Sequence, residues 1–284
     1  MKTIYKNITV LSALLLMSLS VTSQIRIQPS IGFGSNKISY DSDYATVDGL
    51  SGLNLGVDAF YYLNEDMAVG LGLRLSQYGA SAKVDDFEIS EQRIDGDNDS
   101  YLYTAIANGI EEEHKLSVVE IPILFKYQRW VSADILLTGT TGPVFMMTGS
   151  MKSEFTSGTL TTSGYYEQWN LTIDDLAEYG FYPGLNMKGD APDLDVKSTL
   201  AWSFELGAEY YLNKRMNVFL SAYFQPAFGN ISGSDVSTDI MPEPGVFNGT
   251  IMGADNIKLS KAGIKLGLVF DLTPPEKAGV KSIR

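Results

Sequence analysis

The chain has no cysteine, a single histidine and, past its first two dozen residues, no long apolar run. Without cysteine there is no disulfide framework, thiolate metal site, cysteine nucleophile or lipid-modified N-terminal cysteine. With His114 alone, a histidine-based zinc site or a Ser-His-Asp triad has little to be built from. Basic residues are also scarce, 21 Lys and Arg against 34 Asp and Glu, for a net charge of −13. Loss of Lys2 and Lys6 with a cleaved leader would make it −15. That sign argues against nucleic acid and against an electrostatic grip on anionic lipid. No later stretch approaches the ~20 continuous apolar residues of a spanning helix. A place in a membrane would therefore require a closed β-barrel.

The first residues read as a targeting segment. Lys2 and Lys6 form a basic n-region, residues 8–21 are apolar, and Val21-Thr22-Ser23 supplies small residues before Gln24. We expect a signal peptide over 1–23, a barrel domain over 24–272 and a short periplasmic tail over 273–284.

The mature chain alternates. Ile25, Ile27, Ile31 and Phe33 oppose Arg26, Gln28, Ser30 and Gly32; Leu53, Leu55, Val57, Ala59 and Tyr61 oppose Asn54, Gly56, Asp58 and Phe60. Period two means strand. The same reading gives strands beginning at Met67, Leu116, Ala133, Leu200 and Met216, and a last one ending at Leu272. The connections alternate between short polar turns, such as Asn64-Glu65-Asp66 and Asn213-Lys214-Arg215, and long polar stretches over 35–52, 79–115, 148–198 and 229–256. The long stretches read as loops, with one short helix over 172–180 from Thr172 as N-cap to Gly180 as stop. The repeated Tyr-Tyr-Leu-Asn at Tyr61 and Tyr210 reads as an interfacial aromatic belt.

This wiring predicts an all-β fold: an eight-stranded antiparallel up-and-down transmembrane barrel with long extracellular loops. A hairpin over 160–172 could raise the count to ten strands. If the apolar face meets lipid, the interior receives Arg26, Arg74, Lys126, Lys261 and Lys265 with Asp58, Glu120, Glu205, Glu209 and Asp271. Buried charges need partners, and acids and bases balance on this face. Side chains about fill a barrel of this size.

The final strand, Lys265-Leu266-Gly267-Leu268-Val269-Phe270-Asp271-Leu272, resembles the C-terminal sorting signal of bacterial outer-membrane barrels, carried by Lys265, Gly267, Phe270 and Leu272. With Glu120-Ile121-Pro122-Ile123-Leu124-Phe125-Lys126-Tyr127 and the tyrosine-rich hairpins, the chain resembles small porin-like outer-membrane barrels common in Bacteroidetes and the transmembrane domain of the OmpA type. The resemblance implies an outer-membrane location with periplasmic termini, insertion by the barrel-assembly machinery, and contact with outer-membrane lipids and lipopolysaccharide. It implies neither enzymatic activity nor a cofactor. The expected role is structural or surface-interacting, through long acidic loops that meet an envelope or surface partner. The alternative is a narrow porin-like channel for small solutes or ions.

Two further motifs carry chemistry. Asp95, Asp97 and Asp99 resemble the start of a calcium loop, but Ser100 stands where a turn glycine belongs and Ile106 where a bidentate glutamate belongs. His114, Ser117 and Glu120 are the one place to look for a triad-like set, and a solvent-exposed histidine at a loop border is the expectation there.

Overall fold

The computed structural model describes residues 24–84, 87–213, 215–233, 240–252 and 254–272. The expected leader and tail lie outside the described residues. Fourteen strands are present among the described residues: β1 (Ile25–Asp41), β2 (Ala45–Gly49), β3 (Ser51–Tyr62), β4 (Met67–Val84), β5 (Phe87–Ile94), β6 (Ser100–Trp130), β7 (Ile135–Thr148), β8 (Ser150–Tyr166), β9 (Leu171–Ile173), β10 (Leu185–Asn186), β11 (Gly189–Asp195), β12 (Thr199–Asn213), β13 (Met216–Pro226) and β14 (Asp255–Asp271).

Eight of them close a ring in the order β1, β3, β4, β6, β7, β12, β13, β14, each antiparallel to its neighbours. The seam is β14 on β1, in register from Arg26 opposite Asp271 to Gly34 opposite Gly263. The start of β1, the end of β14 and the short turns share one end of the barrel; the long connections share the other.

The wall is inside out. On β4 the lipid-side residues Leu71, Leu73 and Leu75 are all more than half exposed, whereas Arg74 between them is only 5% exposed. A soluble barrel would reverse this pattern. The outward apolar run on β6 spans Val119 to Tyr127, and beyond it the same face carries Lys115, Glu113 and Glu111. That change of character marks where hydrocarbon ends.

The long stretches are mostly not loops. β4 and β6 continue past the belt, where Ala80 to Val84 pair with His114 to Ile110, and β5 and β8 pair with the upper part of β6. The stretch over 79–115 buries Val84, Phe87, Tyr101, Tyr103, Ala105, Ala107 and Ile110 in a second apolar cluster. Small alanines and polar-tipped tyrosines carry that face, so its alternation is weak in the sequence. The expected helix over 172–180 is also corrected: Thr172 pairs with Tyr165 in a short strand, and only Ala177–Tyr179 turns, as a 3-10 helix ended by Gly180 in the left-handed region. Residues 160–172 do not widen the ring, because β8 adds to the extension of β6. Nor do the two Tyr-Tyr-Leu-Asn motifs act alike: at the second position Tyr211 is exposed, whereas Tyr62 is buried and donates to Gln128 Oε1 at 2.9 Å.

Candidate functional site: the closed lumen and its buried polar latch

Side chains from all around the ring fill the lumen in layers. Nearest the start of β1 and the end of β14, Arg26 Nε lies 3.3 Å from Asp271 Oδ2, and its guanidinium sits over the Tyr62 ring. Next, Lys126 pairs with Glu209, whose other contacts are Gln28 Nε2 at 3.3 Å and Asn217 Nδ2 at 3.2 Å. In the third layer Arg74 grips Asp58 with two parallel bonds of 3.0 and 2.8 Å and reaches Glu205 Oε1 at 2.9 Å. Lys265 pairs with Glu205 and stands 3.6 Å from Asp58. In the fourth, Lys261 Nζ lies 2.8 and 2.7 Å from the two Glu120 oxygens, with Tyr78 donating to Oε1 at 3.0 Å.

Arg74, Asp58, Glu205 and Lys265 therefore form one cluster, to which Lys126–Glu209 and Lys261–Glu120 are adjoining pairs. Each ion has an opposite charge at contact distance, which offsets the cost of removing it from water. A void among Asn54, Arg74, Glu205, Tyr223, Lys261 and Lys265 measures about 20 Å³, room for about one water.

Above the ions the interior becomes apolar. Ile38, Tyr40, Leu116, Val118, Val144 and Met146 from the wall pack with Ile231, Ile251 and Ala254 from the β13–β14 connection. Farther out, Ile240, Met241 and Phe247 of that connection pack among Tyr101, Tyr103, Phe155 and Phe181. The described residues of that connection thus enter the barrel mouth as a plug.

A buried polar latch holds the plug. Thr250 donates its backbone N–H and its hydroxyl to Glu112 Oε2, at 2.8 and 2.9 Å. The Thr250 hydroxyl lies 2.8 Å from Tyr40 OH, Tyr40 OH 2.9 Å from His114 Nε2, and His114 Nδ1 2.9 Å from Ser153 Oγ. One assignment satisfies the chain: neutral His114 carries its proton on Nε2 and donates to Tyr40, Tyr40 donates to Thr250, and Ser153 donates to Nδ1. Glu112 Oε1 has no hydrogen-bond partner and stands 3.8 Å from His114 Nδ1. Burial pushes the Glu112 carboxyl up to about 7 and the His114 imidazole down to about 4. Gly249 passes so close that a Cβ there would fall 2.4 Å from Glu112 Oε1, and its φ of +88° is one that glycine adopts freely.

His114 is therefore fully buried, not solvent-exposed as its place at a strand border suggests. Ser117 faces outward and Glu120 sits in the ion layers, so the triad-like set is not assembled. The aspartate loop is a turn: Asp95 Oδ1 accepts the N–H of Asp97 and Asp99 at 3.0 and 2.9 Å, and Oδ2 accepts from Tyr166 OH at 3.1 Å. The Asp99 N–H holds the Asp95 carboxyl below its usual range. Among the described residues no three acidic or imidazole groups are arranged to hold a metal ion. Sequence reasoning missed the latch because Glu111, Glu112 and Glu113 look alike; only the strand register shows that Glu112 turns inward.

No family model and no curated protein matches the chain. Among solved structures it is similar to neisserial surface protein A, at 7% identity and TM-score 0.36 over 88% of this chain and 98% of that one. It is also similar to Ail, the attachment invasion locus protein of Yersinia pestis, at 12% identity and TM-score 0.31 over 87% and 99%. A third is OprG from Pseudomonas aeruginosa, at 10% identity and TM-score 0.35 over 89% and 96%. These are bacterial outer-membrane β-barrel proteins. By its own register and inside-out faces, the chain is an eight-stranded transmembrane barrel.

Proposed function

We propose that this is a non-conducting, non-enzymatic outer-membrane barrel, with periplasmic termini, that displays a rigid sheet on the cell exterior for contact with an envelope or surface partner. The observation that carries this reading is the double closure of the lumen. Four layers of paired ions fill it at the height of the belt, and an apolar plug latched to Glu112 fills it above. A conducting path would have to part these ion pairs and displace the plug above them. The folded mass beyond the belt supports a display role, since β5, β8 and residues 100–109 of β6 lie outside the pairing of the eight ring strands. Insertion by the barrel-assembly machinery and seating in lipopolysaccharide belong to the same reading, as does recognition of Lys265, Gly267, Phe270 and Leu272 as a sorting signal.

Planar-bilayer recording of the purified, folded protein is the test. We expect a silent membrane; discrete, reproducible conductance steps would overturn the reading in favour of a narrow channel.

A further inference from the structure

Beyond the belt, β5, β6 and β8 form a sheet whose inner face packs on the second apolar cluster. Its outer face carries three registered rows: Gln92, Leu102 and Tyr165; Ser90, Thr104 and Ser163; Glu88, Ile106 and Thr161. Glu88 is the one charged residue among them. The contrast with the next part of the same face is sharp, because there Glu113, Glu154 and Asp190 lie in one row and Lys115 and Lys152 in another. Adjacent strands are ~4.8 Å apart, so the first three rows make a ladder of hydroxyls, an amide, a tyrosine ring, two aliphatic side chains and the one carboxylate of Glu88. Ser90 and Thr104 hydroxyls meet at 3.1 Å across it.

The ladder ends in a groove of about 410 Å³ lined by Gln92, Ser100, Leu102, Tyr165, Glu167 and Gln168. Its walls are held in place. Ser100 donates to Gln92 Oε1 at 3.1 Å, which aims the amide N–H groups away from Ser100, and Tyr165 OH donates to Asn170 Oδ1 at 3.0 Å. Behind it Tyr101, Tyr166 and Trp169 stack with successive centroids 5.2 Å apart. Glu167 and Gln168 lie on the 3-10 turn at the rim, both exposed.

We infer that this groove and the ladder below it bind a neutral glycan chain. A pyranose ring presents an apolar C–H face and a rim of hydroxyls that each donate and accept. The Tyr165 ring and Leu102 match the first; the Gln92 and Gln168 amides, which donate and accept, and the Glu167 carboxylate, which accepts, match the second. Charge selects the class. The groove has no Lys or Arg, contains Glu167, and belongs to a chain of net charge −13, so phosphate- and sulfate-bearing glycans are repelled. A role in the cell rests on the proposed outward orientation; the binding chemistry does not.

The test uses the full folded chain in a detergent without a sugar headgroup. Neutral hexasaccharides (maltohexaose, laminarihexaose and mannohexaose) and a heparin hexasaccharide are titrated by calorimetry. We expect saturable binding of at least one neutral probe, little changed by salt, and weakened about tenfold by Gln168→Ala or Tyr165→Ala, as loss of one hydrogen bond or ring contact implies. Folding of each variant is checked by heat-modifiable gel migration. Gln168→Ala removes an exposed side chain, which keeps the test informative if Tyr165→Ala misfolds. No saturable binding of any neutral probe, stronger and salt-sensitive binding of the heparin probe, or equal binding by a folded Gln168→Ala variant would each overturn the inference. Orientation is read separately, by labelling Gln168→Cys on intact cells with an impermeant maleimide. Failure to label would sink the outward display and leave the titration result standing.

Discussion

Glu112 and His114 make a proton-neutral latch, and the consequence is measurable. With the plug docked, Glu112 titrates near 7 and His114 near 4; undocked and solvated, they return to about 4.3 and 6.5. The folded acid is raised, so its contribution to docking is complete below about pH 4.3 and is lost as pH rises to 7. The folded imidazole is lowered, so its contribution is complete above about pH 6.5 and is lost as pH falls to 4. Each slope is ~1.4 kcal/mol per pH unit, and each totals about 3–4 kcal/mol. Between about pH 4.5 and 6.5 they cancel. The undocked pair holds one proton on His114 and the docked pair holds one on Glu112, so docking moves a proton without taking one up. The wild-type plug should then vary in stability by no more than about 1 kcal/mol from pH 4 to 8.

Each single variant exposes the slope of its partner. Glu112→Gln should dock more firmly than wild type at pH 8 by about 3 kcal/mol and weaken by a similar amount from pH 6.5 to 4. His114→Asn should show the reverse, weakening as pH rises from 4.5 to 7. The reporter is hydrogen exchange at the Thr250 amide, which Glu112 accepts, corrected for the pH dependence of intrinsic exchange. A wild-type opening energy that changes by several kcal/mol across this range, or a Glu112→Gln variant that opens more easily at pH 8, would refute the reasoning.

Three further outcomes are expected. Glu209→Lys should place a second ammonium against Lys126 and lower folding stability by about 3–5 kcal/mol, read as a shift in the urea midpoint of heat-modifiable migration. Gly34→Ala should disrupt closure, because its Cβ would fall 2.1 Å from the Ala262 carbonyl oxygen, backbone that cannot move without the seam; the measurement is the fraction of chain that reaches the compact gel form. Chelation of calcium should leave exchange in the 95–99 turn unchanged, since the Asp95 oxygens already accept from two backbone N–H groups and Tyr166; a calcium-dependent change there would show a site.

What was legible in the sequence follows from contrast between faces. In the belt, Leu71, Leu73 and Leu75 alternate with Gly72, Arg74 and Ser76, and one residue of slip would put Arg74 in lipid, so register and strand count can be read directly. Above the belt the contrast fails. Tyr101, Tyr103, Ala105 and Ala107 are buried while Leu102 and Ile106 face outward, so composition alone favours neither face and the segment resembles a polar loop. The latch was hidden for a related reason: Thr250 approaches Glu112 across 138 residues of chain, and nothing local records that meeting. Thr172 resembled a helix cap because threonine serves both caps and strands, and pairing with Tyr165 decided between them.

β6 runs for 31 residues from Ser100 to Trp130, with an irregularity in its pairing with β8 between Asn108 and Glu112, a contour of ~100 Å at 3.3 Å per residue. Its lower part is barrel wall and its upper part is the spine to which β5 and β8 are laddered. A pull on the far end, near Trp169, therefore loads the β8–β6 ladder along the strand direction, in shear. Many hydrogen bonds then share the force, where a peeling geometry would break them one at a time. A force-spectroscopy trace pulled from that end should show one high rupture event.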